Sequence, residues 1–199
     1  LEFRRVLFRS IRIVYGARLS LVIGVVSAVV STSIGSLVGG ISGYFGGWVD
    51  KVLMRFVEFI MAIPTLFLIL IIQTIYTPTI VTVMVVIGLT SWMGVARLVR
   101  SEVLSIKQRP FVLAARARGV WGWRLLLRHI MPHALPPIVV AATLDVGGAI
   151  LIESALSFLG LGVQPPHASW GNMLHNSLTY LLDAPWMADR KSTRLNSSH

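Results

Sequence analysis

The sequence predicts an all-α membrane protein, a polytopic helical bundle. Three observations carry this reading. The 199 residues are 55% hydrophobic and 13% charged, with a mean hydropathy of +0.76, whereas a soluble domain carries ~25% charged residues. Two long stretches, Leu19 to Val49 and Phe59 to Ala96, hold no charge at all. The formal net charge of +10, from 18 Lys plus Arg against 8 Asp plus Glu, is concentrated in one segment. A chain of this size has too little interior to hide so much apolar surface from water. Disordered chains are apolar-poor, so disorder is excluded. With no cysteine, disulfide frameworks, zinc–thiolate sites and thiol nucleophiles are excluded too.

Each span follows from the charge-free runs. A bilayer core takes ~20 helical residues, so Phe59 to Ala96, 38 residues long, is too long for one crossing and fits two. The break falls at Tyr76-Thr77-Pro78-Thr79, a polar cluster with a helix breaker. A further apolar region runs from Ala134 to Ser157, interrupted by Asp145 and Glu153. The expected spans are therefore 19–41, 58–76, 80–97 and 135–157. The β-branched run Ile80 to Ile87 could by itself be a buried strand. Four such runs in one small chain leave too little polar sequence to cover them, which favours the membrane reading.

The charges set the orientation. Arg97, Arg100, Lys107, Arg109, Arg116, Arg118, Arg124 and Arg128 lie between the third and fourth spans, opposed only by Glu102. Gly160 to Pro185 has no Lys or Arg. The positive-inside rule then makes the basic segment cytoplasmic and the later one external. Counting back, a Gly43–Arg55 loop with Lys51 and Arg55 is cytoplasmic, and the segment before Leu19 is external despite Arg12 and Arg18. Leu1–Ser10 and the polar, aperiodic end from Lys191 to His199 read as non-native tails of translated adapter sequence, with ordinary flexible tails as the alternative. The domain is then 11–188, with 1–10 and 189–199 as tails.

Catalytic patterns are missing. There is no phosphate-binding G-x-x-x-x-G-K-[ST], no H-E-x-x-H, no G-x-S-x-G and no close carboxylate pair. The sequence calls for no cofactor and no metal. His129 and His133 are four apart and could share a helix face, but Pro132 between them is expected to break that helix.

The basic segment is the strongest functional candidate. Pro110 suits a first helical position and Gly119 a helix stop, so Phe111 to Arg118 predicts a helix of two turns. Its small residues Ala114 and Ala115 favour close docking into a protein groove. Trp121 and Trp123 keep an interfacial helix on anionic lipid open as the alternative.

Several segments, taken in order, resemble the inner-membrane permease subunit of bacterial ABC importers for dipeptides, oligopeptides and nickel. They are Gly16-Ala17-Arg18-Leu19-Ser20-Leu21, Gly43-Tyr44-Phe45-Gly46-Gly47-Trp48-Val49-Asp50, Ser91-Trp92 with Ala96-Arg97-Leu98-Val99-Arg100, the Ala114-Ala115…Gly119…His129-Ile130-Met131-Pro132 segment, and Ala155 to Pro166 followed by Ser169-Trp170-Gly171. The resemblance covers Gly16 to Trp186. It implies a cytoplasmic coupling helix that docks into an ATPase subunit, carried here by Leu113, Ala114, Ala115, Arg116, Gly119 and Pro132. Leu113 stands where the family's signature has Glu, so no acidic contact is implied there. The resemblance also implies six spans, of which four are visible, with one expected before Leu1 and one after Ala188. It implies cytoplasmic ABC ATPase subunits, a second homologous permease subunit, an external solute-binding protein and the lipid bilayer of the bacterial inner membrane as partners. Hydrolysis would reside in the partner chain, so this chain is no enzyme.

Polar groups inside the spans default to functional hypotheses. Asp145 and Glu153 are expected to face the bundle interior or a wet cavity, as pathway residues or as internal hydrogen-bond partners. Gly35, Gly39 and Gly43 leave one helix face bare for close packing, and Pro64 is expected to kink its span. The rival function is a secondary transporter or channel subunit without an ATPase. That rival calls for ionisable residues in several spans, and only Asp145 is central. A nucleic-acid-binding module would explain the charge through phosphate contacts but needs a soluble basic domain, so no nucleic-acid partner is expected.

Overall fold

The computed structural model describes residues 2–76, 79–162, 169 and 171, with side chains from Gly16 onward. The expected break at Thr77-Pro78, most of the segment expected outside (Gly160–Pro185) and the tail 189–199 lie outside the described residues. All regular structure among the described residues is helical: α1 (Glu2–Phe45), α2 (Gly47–Met61), α3 (Thr65–Ile75), α4 (Ile80–Ile106), α5 (Pro110–Ala117), α6 (Trp123–Leu125), a π turn (Leu126–Ile130) and α7 (Met131–Phe158). The β-branched run from Ile80 is helical because Thr79 starts it with a capping box: its hydroxyl accepts from the Thr82 amide, and the Thr82 hydroxyl accepts from the Thr79 amide.

Three helical stretches are long and apolar enough to cross a membrane: Gly16–Phe45, Ile80–Ile106 and Trp123–Phe158. Helices α2 and α3, which meet at a bend of 78°, pass the same test only when taken together as one broken stretch. Contact order along the helices settles their directions. Cβ atoms added at Gly35 and Gly43 would come within 3 Å of Val95 and Val103 Cβ, and one at Gly39 within 3 Å of Val99 Cβ. Glycines and valines thus meet in the same order, and α1 and α4 run parallel. Against α7 the order reverses: Ser20 meets Glu153, a Cβ at Gly24 would meet Ile150, and Ser31 meets Asp145. Parallel neighbours can be joined only by a segment that returns across the bilayer. The bent α2–α3 pair is that segment: Val57 packs with Trp92, Met93 and Ala96, and Ile69 packs with Ile23, Val83 and Ile87.

Four expectations are corrected. The second span does not begin at residue 58, and Gly43–Arg55 is not a loop. α1 ends at Phe45, and α2 starts two residues later at Gly47. Gly46 and Gly47 hold φ of 64° and 56°, conformations glycine alone adopts without strain, so the chain turns within one residue. Second, Pro64 does more than kink its span. Helix α2 ends before it and α3 begins after it, with Pro64 itself extended at ψ 125°, since proline lacks the amide that would continue the ladder. Third, the helix of the expected 80–97 span runs on past it to Ile106, because no breaker intervenes and charged side chains are tolerated at a helix end in water. Fourth, the helix through His129 and His133 is unbroken at Pro132. Met131 donates to the Leu126 carbonyl five residues back, and this wider turn accommodates the carbonyl four residues before the proline, which a proline ring would otherwise meet.

Candidate functional site

The site builds outward from the C-terminal end of α4. Gln108 donates to the Ser105 carbonyl and Arg109 to the Ile106 carbonyl, closing α4 in a tight turn. Arg109 is extended, at φ −71° and ψ 146°, as a residue before proline prefers. Pro110 then opens α5 where no backbone donor is needed. The far end is a Schellman motif: Gly119 donates to Arg116 O at 2.8 Å and Val120 to Ala115 O at 3.1 Å, with Gly119 at φ 83°.

Helix α5 has two unlike faces. Val112 and Ala115 are fully buried in a cluster with Tyr44, Val103, Ile106 and Leu125. Leu113, Ala114, Ala117, Arg118 and Gly119 are exposed, Leu113 by 51%. Arg116 is half-buried, with its guanidinium 5.9 Å from the Trp121 ring centroid. Of the six residues expected to dock, Leu113, Ala114 and Gly119 are open to a partner, while Ala115 anchors the helix from below. Pro132 is exposed in the first turn of α7, next to the His133 ring that meets Phe111 of α5.

Sequence reasoning missed the braces behind α5. Arg100 grips Asp50 with both prongs of its guanidinium, Nε to Oδ1 at 2.5 Å and Nη2 to Oδ2 at 2.6 Å, and the Ser42 hydroxyl donates to the same carboxylate. Lys107 donates from Nζ to the Tyr44 carbonyl at 2.6 Å and lies 5.6 Å from the Tyr44 ring centroid. Burial, then the nearby charge of Arg116, holds this amine below the usual lysine range. Phe45 meets Trp123 edge-on at 5.5 Å, and Phe111 meets His133 at 4.5 Å. The α1–α2 corner, the end of α4, α5 and the start of α7 therefore form one braced unit. One signal was available: in a chain with 8 acids, Asp50 invited the question of which base neutralises it.

Within the membrane, Asp145 accepts from Ser31 at 2.8 Å, and the fully buried Glu153 accepts from Ser20 at 3.2 Å and Ser157 at 2.7 Å. Both carboxylates of α7 are thus used by hydroxyls, two of them on α1. Gln73 on α3 is 2% exposed, and its amide has no partner among the described residues. A cleft of about 590 Å³ opens between α2 and α4, lined by Glu58, Arg97, Arg100 and Ser101 together with Met54, Gly94 and Leu98. No group of His, Asp and Glu side chains among the described residues could hold a metal ion.

Comparison with known proteins agrees with this architecture. The chain is 40% identical over 185 residues to the dipeptide transport system permease protein DppC of Alkalihalophilus pseudofirmus, covering 93% of this chain and 60% of that protein. It is 41% identical over 177 residues to the oligopeptide transport system permease protein OppC of Haemophilus influenzae, covering 89% and 57%. It is 44% identical over 177 residues to OppC of Escherichia coli K12, covering 89% and 59%. The chain thus spans less than two thirds of the length of each of these relatives. Residues 35–186 match the family described as the binding-protein-dependent transport system inner membrane component. With its apolar helices and these matches together, the chain belongs to that family of multi-pass bacterial inner-membrane proteins.

Proposed function

We propose that this chain is a membrane-spanning permease subunit of an ATP-driven importer for peptides or related small solutes, nickel chelates included. Cytoplasmic ATPase subunits hydrolyse ATP, and α5 receives their movement. A second homologous permease completes the pathway, and an external binding protein delivers the solute. The chain itself contributes mechanics rather than catalysis. The observation that carries this reading is the two-faced α5. A short helix on the basic side keeps Val112 and Ala115 clamped to the bundle and leaves Leu113, Ala114 and Gly119 outward. A lever needs both properties: a free face to be pushed, and a buried face rigid enough to pass the push on. Packed elements of this kind shift between discrete arrangements rather than bend continuously.

The chain has no cysteine, so Leu113→Cys introduces a single addressable thiol within it. In the full complex, a bifunctional reagent is expected to join this thiol to an ATPase subunit, with a yield that changes when ATP binds. A complex that imports solute without any ATPase, or a thiol at 113 that never reaches one, overturns the proposal.

A further inference from the structure

Helix α2 carries a second face that neither the bundle nor the proposed coupling uses. Trp48, Lys51, Val52, Arg55, Phe56 and Phe59 line a groove of about 490 Å³ along its outer side. The opposite side is the one that packs: Val57 is fully buried, with Met54 and Ile60 against the same cluster as Trp92 and Ala96. Trp48 is 80% and Phe59 72% exposed.

The groove is graded in polarity along the helix. Its start is level with the Asp50–Arg100 pair, just past the charge-free stretch of α4. Lys51 and Arg55 sit one turn apart there, beside Trp48. Phe59 lies roughly 12 Å further along the axis, at 1.5 Å per residue, toward the middle of the bilayer. A tryptophan and two long bases at headgroup depth, with phenylalanines below, match the interface between phosphate and acyl chain. The charge balance points the same way. Asp50 adjoins Lys51 in sequence, but its carboxylate is held by Arg100. Glu58 reaches Arg55 at only 3.7 Å, with both side chains largely exposed, a pairing of little strength. Lys51 makes no ion pair among the described residues.

We propose that this groove binds an anionic phospholipid, its phosphate between Lys51 and Arg55 and one acyl chain along Phe56 and Phe59. The proposal needs only the membrane embedding of the bundle and is independent of the solute carried. The test uses the full-length permease in its purified complex, titrated with phosphatidylglycerol or with phosphatidylcholine of the same chains, with bound lipid read by native mass spectrometry. Lys51→Gln with Arg55→Gln is expected to weaken phosphatidylglycerol retention roughly thirty-fold and to leave phosphatidylcholine unchanged. The exposed pair Arg124→Gln with Arg128→Gln serves as the charge control and is expected to retain the lipid. Equal weakening in the control, or none in the groove variant, overturns the proposal. So does a photo-reactive benzoylphenylalanine at position 56 that cross-links to a protein subunit instead of to lipid.

Discussion

Asp50 and Arg100 form a two-pronged ion pair across the corner where α1 passes into α2. It joins the turn at Gly46 to the part of α4 that leads into α5, so both features hang from it. Hydrogen bonds to charged groups contribute about 1.5–3 kcal/mol. Arg100→Gln is expected to lower stability by an amount in that range and to loosen α5. Arg100→Lys keeps the charge but loses the planar fork and should fall between the two. Thermal unfolding of the purified complex, followed by protease cleavage after Arg116 or Arg118, measures both effects. Equal midpoints for all three proteins would show that the pair carries no structural load.

The glycine face of α1 predicts a sharp position dependence. A Cβ at Gly39 would lie 2.9 Å from Val99 Cβ and 3.0 Å from the Arg100 amide nitrogen, whereas one at Gly40 would meet only Met131 Sδ at 3.5 Å. Overpacking of this kind costs about 1–3 kcal/mol. Gly39→Ala should therefore be destabilised by that amount and Gly40→Ala left near wild type, in the same thermal assay.

Gly119 separates backbone strain from crowding. It holds φ 83°, and an added Cβ would meet nothing within 4 Å. Gly119→Ala should therefore cost about 1–2 kcal/mol through the left-handed backbone alone, and Gly119→Asn less, since asparagine visits that region more readily. Hydrogen exchange at the Val120 amide, which is bonded to Ala115 O, is the local readout. Faster exchange in both variants to the same degree would contradict the backbone account.

Lys107 predicts a pH dependence with a definite sign. Its folded-state value is depressed, so the penalty for keeping it charged is fully present below that value. Between that value and the ordinary lysine value the unfolded chain binds more protons, and stability rises with pH. A neutral amine can still donate to the Tyr44 carbonyl. Thermal midpoints measured from roughly pH 8 to 10.5 should show an alkaline rise in the wild type that Lys107→Met removes. An unchanged slope in that variant would assign the rise to another group.

Much of the fold was legible because it depends on short-range rules. The charge-free runs mark membrane crossings, the four-residue spacing of Gly35, Gly39 and Gly43 marks a close helix contact, and Pro110 and Gly119 bracket α5. What escaped depends on partners distant in sequence. Nothing near Asp50 names Arg100, so the acid looked like part of a loop and the start of α2 was missed. Proline at 64 foretells a break but not its angle, since the ring removes one hydrogen bond and the packing of α2 and α3 on α4 sets the rest. Ala115 fits a docking surface and a buried anchor equally well by composition, and only the cluster around Tyr44 and Ile106 shows which it is.

The parallel pairing of α1 with α4 has a consequence for how the protein is made. Gly35, Gly39 and Gly43 each meet a valine about sixty positions later in the chain, which at bacterial synthesis speeds is roughly 3–12 s of elongation. During that interval α1 is already synthesised, while Val95, Val99 and Val103 are still to come. Its bare glycine face and the Ser31 hydroxyl must wait among lipids or insertion machinery. Substitutions on the α1 face should therefore reveal themselves first as failed assembly in the cell.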